Sequence, residues 1–182
     1  SADDGIYKIA IVQQLDHASL DEIASAIEAS LKEEAKKAGK EIEIEVVSGQ
    51  NDSTVLKQLS EQAVSEGADV IVAIATLAAQ IAAGSAKGTG IPVVYAAVSD
   101  PEGAGLTGLE NVTGTSDALN TAFILDMMFA LDTKPSKVGL LYSLSETNSE
   151  KPISEAKEIL QQKGVEFTEA TAESPDEVRA AV

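Results

Sequence analysis

The chain has 182 residues, 44% of them hydrophobic, which is enough to build one large α/β domain or two smaller lobes. Its 13 basic and 30 acidic residues give a formal net charge of −17, so nucleic acids and anionic membrane surfaces are poor partners. Cysteine is absent and His17 is the only histidine, which excludes disulfides and a conventional zinc site within one chain. We therefore expect no metal and no cofactor.

Apolar runs and alternating patterns predict four strands in the first half of the chain, at residues 6–12, 42–46, 70–74 and 91–98. Helices are predicted between them. The predicted N-caps are Ser19, in a capping box with Glu22, then Asp52 or Ser53, and then Thr76. Strands and helices that alternate at this spacing predict right-handed βαβ units and a largely parallel, doubly wound sheet.

The regular alternation stops at residues 99–115, a glycine-rich segment in which we predict no helix. Such a segment lines a cleft, carries the chain to a second lobe, or does both. Ser116 and Asp117 are predicted to cap a helix that is apolar on nearly every side over residues 122–131, and we expect it to be buried between layers or against a partner subunit. A strand at 138–142, a helix at 153–163, a strand at 165–170 and a helix opening at Ser174 follow. The predicted domains are a first α/β lobe at 1–115 and a partial second lobe at 116–182.

The loops after the strands are expected to gather along one edge of the sheet, where open α/β folds bind ligands. They contain hydroxyls, amides and carboxylates, which suit the binding of a small polar molecule better than catalysis. Thr76 lies at a helix start, whose N–H groups favour a carboxylate or another anion. Asp100 fits either a turn former or a contact for an ammonium group, and Tyr95 and Tyr142 fit either the core or the floor of an apolar ligand site.

Catalytic patterns are missing. No G-x-G-x-x-G follows the first strand, and GAGLTG at 103–108 opens no predicted helix. There is no P-loop and no G-x-S-x-G motif. His17 beside Asp16 lies in a polar turn and is interpreted as a surface residue. The chain is therefore predicted not to be an enzyme.

Six segments together carry a resemblance to a known family. They are IAIVQQLDHASLDE at 9–22, VVSGQNDSTVLKQL at 46–59, DVIVAIATLAAQ at 69–80, PVVYAAVSDPEGAGL at 92–106, NVTGTSD at 111–117 and VGLLYSLSETNS at 138–149. The sequence resembles the ABC-transporter substrate-binding proteins of the tryptophan/tyrosine-binding type. The resemblance implies a periplasmic-binding-protein fold of two α/β lobes, hinged near residues 113–117, with a small ligand, often an aromatic amino acid, held between them.

The resemblance also implies site residues and partners. The implied ligand-binding residues are Gln14, Thr76, Leu77, Ser99 and Asp100 on the first lobe and Ser145 and Asn148 on the second. The implied partner is an ABC permease, and the implied location is outside the cytoplasm, in the periplasm or as a lipoprotein anchored to a membrane by a segment not in this chain. Residues 1–5 are typical of a mature start from which an export signal has been removed.

Some expectations and alternatives accompany this interpretation. Val182 falls inside the second lobe of the resembled family, so we expect apolar sheet surface to be exposed. We expect the chain either to be partly disordered or to associate, as a homodimer or a swapped form, through the 117–131 helix. A nucleotide- or sugar-phosphate-processing enzyme with all six strands in one sheet is an alternative. So is the ligand-sensing domain of a transcriptional regulator.

Overall fold

The computed structural model describes residues 5–131 and 135–181. The expected mature start at residues 1–4 and the chain end at Val182 lie outside the described residues. The chain divides into two compact units, residues 1–117 (unit 1) and 118–182 (unit 2). That these units are the two lobes of one receptor stays a prediction.

Unit 1 is built on a five-stranded parallel sheet. The strands are β1 (Ile6–Gln13), β2 (Glu41–Ser48), β3 (Val70–Ile74), β4 (Val93–Val98) and β5 (Val112–Ser116), in the order β2-β1-β3-β4-β5. The crossovers contain α1 (Ala18–Ala38), α2 (Ser53–Ser65) and α3 (Thr76–Ser85). Strand β2, in which isoleucine alternates with glutamate, lies at the edge as its pattern predicts.

Both faces of this sheet are covered, which is why residues 9–12 of β1 and all of β3 are continuous apolar runs. On one face Ile71 and Val12 pack with Leu56 of α2 and with the alanines of α3. On the other face Ile11 and Ile74 pack with Ala24 of α1. Since helices cover both sides of a parallel sheet, the predicted doubly wound α/β class is confirmed.

Unit 2 contains a two-stranded parallel sheet of β6 (Lys137–Tyr142) and β7 (Glu166–Thr171). Its helices are α4 (Thr121–Phe129), α5 (Glu150–Gln162) and α6 (Pro175–Ala181), and a 3₁₀ turn lies at Thr147–Ser149. The core joins Leu125, Val138, Leu140 and Leu160. The described strands thus form sheets of five and two, not the single sheet that the enzyme alternative required.

Three predicted helix starts are wrong. Helix α1 begins at Ala18, and the Nδ1 atom of His17 accepts a hydrogen bond from the Ser19 N–H. Helix α3 is preceded by Ala75 and begins with Thr76 itself. Helix α4 is capped by the Asn120 side chain and begins four residues after the expected Asp117.

A strand was also missed. Residues 112–116, expected to be irregular, form β5 and pair in parallel with β4. Their sequence, VTGTS, has β-branched residues that suit a strand but only one strongly apolar residue, so it lacks the apolar pattern that marks the other strands. The expectation that this stretch forms no helix is confirmed.

Helix α4 is much more exposed than its composition predicts. Only Thr121 and Leu125 are buried, while Phe123, Ile124 and Met127 are about half exposed. Burial between layers of the described chain is therefore wrong for this helix, and burial against a partner is not tested. No helix within the described ranges is long and apolar enough to span a bilayer.

Candidate functional site

The strand register of unit 1 brings the predicted loops to one edge. Gln13 pairs with Ile74, Ile74 pairs with Ala96, and Val98 pairs with Ser116, so the chain leaves β1, β3 and β4 side by side. Unfavourable backbone lies at the same edge. Ala75 has φ 77° and ψ 165°, and Ala97 has φ 55° at an irregularity in the β4 and β5 pairing. Strained non-glycine residues persist where the surrounding structure enforces them, and they concentrate at binding sites.

Gln14 is a structural link at this edge. Its Oε1 atom accepts a hydrogen bond from the Leu77 N–H at 3.0 Å, and its Nε2 atom donates to Asn51 Oδ1 at 2.8 Å. The Gln14 side chain is 3% exposed. It therefore caps the start of α3 from 63 residues away in the sequence, a role that Thr76 was expected to fill. Gln14 and Leu77, two predicted ligand residues, are thus joined by a hydrogen bond to each other.

Thr76 is left with an unused hydroxyl. It is 5% exposed, and its Oγ1 atom has no hydrogen-bond partner. Buried hydroxyls are nearly always paired, so each unpaired one requires an explanation, such as a missing bound group. Its position at the first turn of the ten-residue α3 adds the partial positive charge of a helix start. An anion or a hydrogen-bonding ligand group fits both properties.

Ser99 and Asp100 follow β4 and make local bonds. The Ser99 hydroxyl donates to Asp117 Oδ1 at 3.0 Å, which joins the ends of β4 and β5. Asp100 Oδ1 accepts from the Gly103 N–H at 3.1 Å, as expected of a turn former. Both residues lie at the predicted edge, and whether either contacts a ligand stays a prediction.

His17 and Asp16 are not arranged for catalysis. The His17 imidazole caps α1, and Asp16 Oδ2 accepts a hydrogen bond from the Gln50 side chain at 2.7 Å. This bond, helped by Ser48, holds the pKa of Asp16 below its ordinary value. Tyr95 belongs to the core of unit 1, whereas the Tyr142 hydroxyl donates to Glu169 at 3.0 Å.

In unit 2 the predicted residue Ser145 belongs to a cluster around Glu173, which sequence reasoning missed. Glu173 Oε2 accepts from the hydroxyls of Ser143 and Ser145, each at 2.6 Å, and Oε1 accepts from the Leu144 N–H at 2.7 Å. The hydroxyls of Ser143 and Ser145, with that N–H, lower the pKa of Glu173 to about 2. Glu173 could have been found, since it follows the last predicted strand as the other candidates follow theirs.

Asn148 lies in the 3₁₀ turn that follows the Ser143–Ser145 loop. Its Oδ1 atom is buried and has no hydrogen-bond partner. Within the described ranges only three buried side-chain atoms are in this state, the third being Thr121 Oγ1 at the start of α4. Two of the three thus belong to residues that the resemblance implied as ligand-binding.

The third unpaired atom, Thr121 Oγ1, belongs to a residue that lines another concave region, between the start of α4 and α5. A cavity of about 360 Å³ lies along the middle of β1 and β2 beside α2, away from the strand ends, and is lined by Lys8, Glu43, Glu45 and Glu66 among others. None of the three unpaired buried atoms named above belongs to the residues that line it. No group of three or more His, Asp or Glu residues suited to a metal ion occurs in residues 5–131 and 135–181.

An open parallel sheet with helices on both faces, and with a buried, unpaired hydroxyl where the chain leaves β3, is typical of α/β ligand-binding proteins. Comparison with known proteins specifies the class further. Residues 8–182 match the family model described as ABC transporter substrate binding protein. The chain belongs to this family.

Relatives agree with this assignment. The tyrosine-binding protein of Clostridioides difficile (strain R20291) is 33% identical over 179 residues, which are 96% of this chain and 51% of that protein. The ABC domain from Streptococcus pneumoniae, solved in complex with L-Trp, has a TM-score of 0.85 and 32% identity, covering 96% of this chain and 60% of that one. A conserved domain protein from Vibrio cholerae has a TM-score of 0.81 and 29% identity over the same shares. The chain thus spans about half the length of the curated relative that it matches.

Proposed function

We propose that the chain is the ligand-binding part of an extracytoplasmic receptor that captures a small solute, leaves it chemically unchanged and delivers it to an ABC permease. The observation that carries this proposal is the buried, unpaired hydroxyl of Thr76 at the start of α3. A carboxylate placed there accepts a hydrogen bond from the hydroxyl and lies at the positive end of the helix. Membership of a family of substrate-binding proteins supports capture over turnover.

The proposed ligand class is an amino acid, with an aromatic side chain favoured. Two relatives above 30% identity support this, because one is a tyrosine-binding protein and the other was solved with L-Trp. We propose that Thr76 and Asn148 contact the ligand directly through their unpaired oxygens. Gln14, Leu77, Ser99, Asp100 and Ser145 complete the proposed site, and of these Gln14 acts by holding the start of α3 in place.

Calorimetric titration of the purified chain with L-tryptophan, L-tyrosine, L-leucine and benzoate tests the proposal. Thr76→Val removes the hydroxyl and keeps the volume, and it should weaken amino-acid binding by about 10- to 100-fold, the value of a hydrogen bond to a charged group. Thr168→Val, at an exposed threonine of β7, is the matched control and should bind like the wild type.

Two results would contradict the proposal. One is the absence of binding to any of these amino acids by the folded chain. The other is a Thr76→Val variant that binds as tightly as the wild type. Mass spectrometry of the ligand after incubation should recover it unchanged, and a new product would instead support the enzyme alternative.

A second proposal concerns self-association through α4. It rests on the exposed apolar side chains Phe123, Ile124, Met127 and Leu131. Contiguous exposed apolar surface of this kind commonly marks an interaction site. Sedimentation velocity should show a dimer or larger species that Phe123→Glu with Met127→Glu converts to monomer, whereas a wild-type chain sedimenting as a compact monomer would refute the proposal.

A further inference from the structure

In the polar cluster of unit 2 the Ser143 and Ser145 hydroxyls lie 2.9 Å apart, where either could donate to the other, but both lie closer to the Glu173 carboxylate, which is the stronger acceptor. The Ser143 and Ser145 hydroxyls both lie 2.6 Å from Glu173 Oε2, and the Ser145 N–H lies 3.2 Å from Ser143 Oγ. A carboxylate that is ionised can only accept hydrogen bonds. Glu173 is ionised at neutral pH, because the same bonds place its pKa at about 2.

Each serine hydroxyl has a single proton to donate. An oxygen–oxygen distance of 2.6 Å to a carboxylate requires that proton to lie between the two atoms, since two bare oxygens at this distance would repel each other. The proton of Ser145 is thus directed at Glu173. Ser145 is an exposed residue, and with its proton engaged its hydroxyl oxygen can offer only lone pairs to anything that binds from solvent.

We propose that Glu173 is a specificity-determining residue that fixes the Ser143–Ser145 loop as a hydrogen-bond acceptor surface and so selects a ligand with an ammonium group. The inference rests on the proposed function and deepens it. Asn148 supports it from the same loop region, because its unpaired buried atom is a carbonyl oxygen, which is also an acceptor. The charge of Glu173 itself favours a cation nearby.

The acceptor oxygens that follow the end of β6 favour an ammonium group. An amino acid carries such a group, whereas an aromatic acid without an amine does not. Glu173 therefore distinguishes amino acids from simple carboxylic acids.

The test compares L-tryptophan with indole-3-propionate, which lacks only the amino group. Both are titrated into the wild-type chain, Glu173→Gln and the control Glu166→Gln, whose glutamate is exposed at the start of β7. The wild type and the control should prefer L-tryptophan by about 100-fold or more, as a site built for a polar group rejects an analogue lacking it. Glu173→Gln should reduce this ratio about tenfold, since its amide can donate protons and releases a serine proton toward the ligand.

The ratio of two affinities separates selectivity from a general loss of structure, and thermal unfolding of each variant checks folding. A Glu173→Gln variant that folds and keeps the wild-type ratio would overturn the inference while the receptor function stands. A wild-type chain that prefers indole-3-propionate would overturn it as well. If the folded wild type binds neither compound nor any amino acid, the proposed function itself fails.

Discussion

Replacing Gln14 with alanine tests whether the long-range cap of α3 stabilises unit 1. The substitution removes two hydrogen bonds, one from the Leu77 N–H at 3.0 Å and one to Asn51 at 2.8 Å. A hydrogen bond contributes about 0.5–1.5 kcal/mol net, and a donor left unsatisfied in the interior costs about 1–3 kcal/mol. Because Gln14 is 3% exposed, water replaces these bonds poorly, and we expect a loss of about 2–4 kcal/mol in the free energy of unfolding.

Urea unfolding followed by far-UV circular dichroism measures this loss, and hydrogen exchange of the Leu77 amide locates it. The matched control is Gln80→Ala on the same helix, which loses one half-buried bond to the Ala104 carbonyl and should cost about 1 kcal/mol. The reasoning is refuted if Gln14→Ala costs no more than the control, or if exchange of the Leu77 amide is unchanged.

Three further outcomes are expected. Ala75→Gly should raise the free energy of unfolding by up to about 1 kcal/mol in urea titrations, because relief of the strain at φ 77° slightly exceeds the entropic cost of glycine; a loss of stability would show that Ala75 is not strained. Gly114→Ala should cost about 1–3 kcal/mol, since the new methyl group would overlap the Tyr95 carbonyl and ring, and near-wild-type stability would contradict this contact. The folded pKa of Glu173, about 2, lies below its ordinary 4.5, so its stabilising effect is full above pH 4.5 and is lost as the pH falls toward 2. The difference in urea midpoint between the wild type and Glu173→Gln should therefore shrink over that pH interval. A constant difference would argue against the lowered pKa.

Much of unit 1 was predictable because its strands and helices have strong local signals. Residues 9–12 of β1 and all of β3 are uninterrupted apolar runs, and Gly39 ends α1 in the left-handed conformation that its sequence predicts. Asp52 caps α2 through the N–H groups of Thr54 and Val55, one of the two caps considered. Strand β5 was missed because its small and polar residues are ordered by pairing with β4, which no local pattern records.

The candidate site, like the fold of unit 1, could be predicted from the sequence only in part. Its location could be predicted, since parallel strands carry the residues that follow them to one edge. Which groups remain unpaired there could not, because Gln14 meets Leu77 across 63 residues and Ser145 meets Glu173 across 28. Long-range pairs of this kind assign Gln14 to a structural role and leave Thr76 with its hydroxyl unpaired.

Strand β2 places Glu41, Glu43 and Glu45 in a row along an open margin of the unit 1 sheet, each of them exposed. The backbone of an unpaired margin can recruit a matching strand from another molecule, which is how ordered aggregates begin. Two copies that approach margin to margin bring these like charges together, and the repulsion opposes pairing. Neutralising the three glutamates as glutamines should therefore leave folding intact while making concentrated solutions prone to fibril growth.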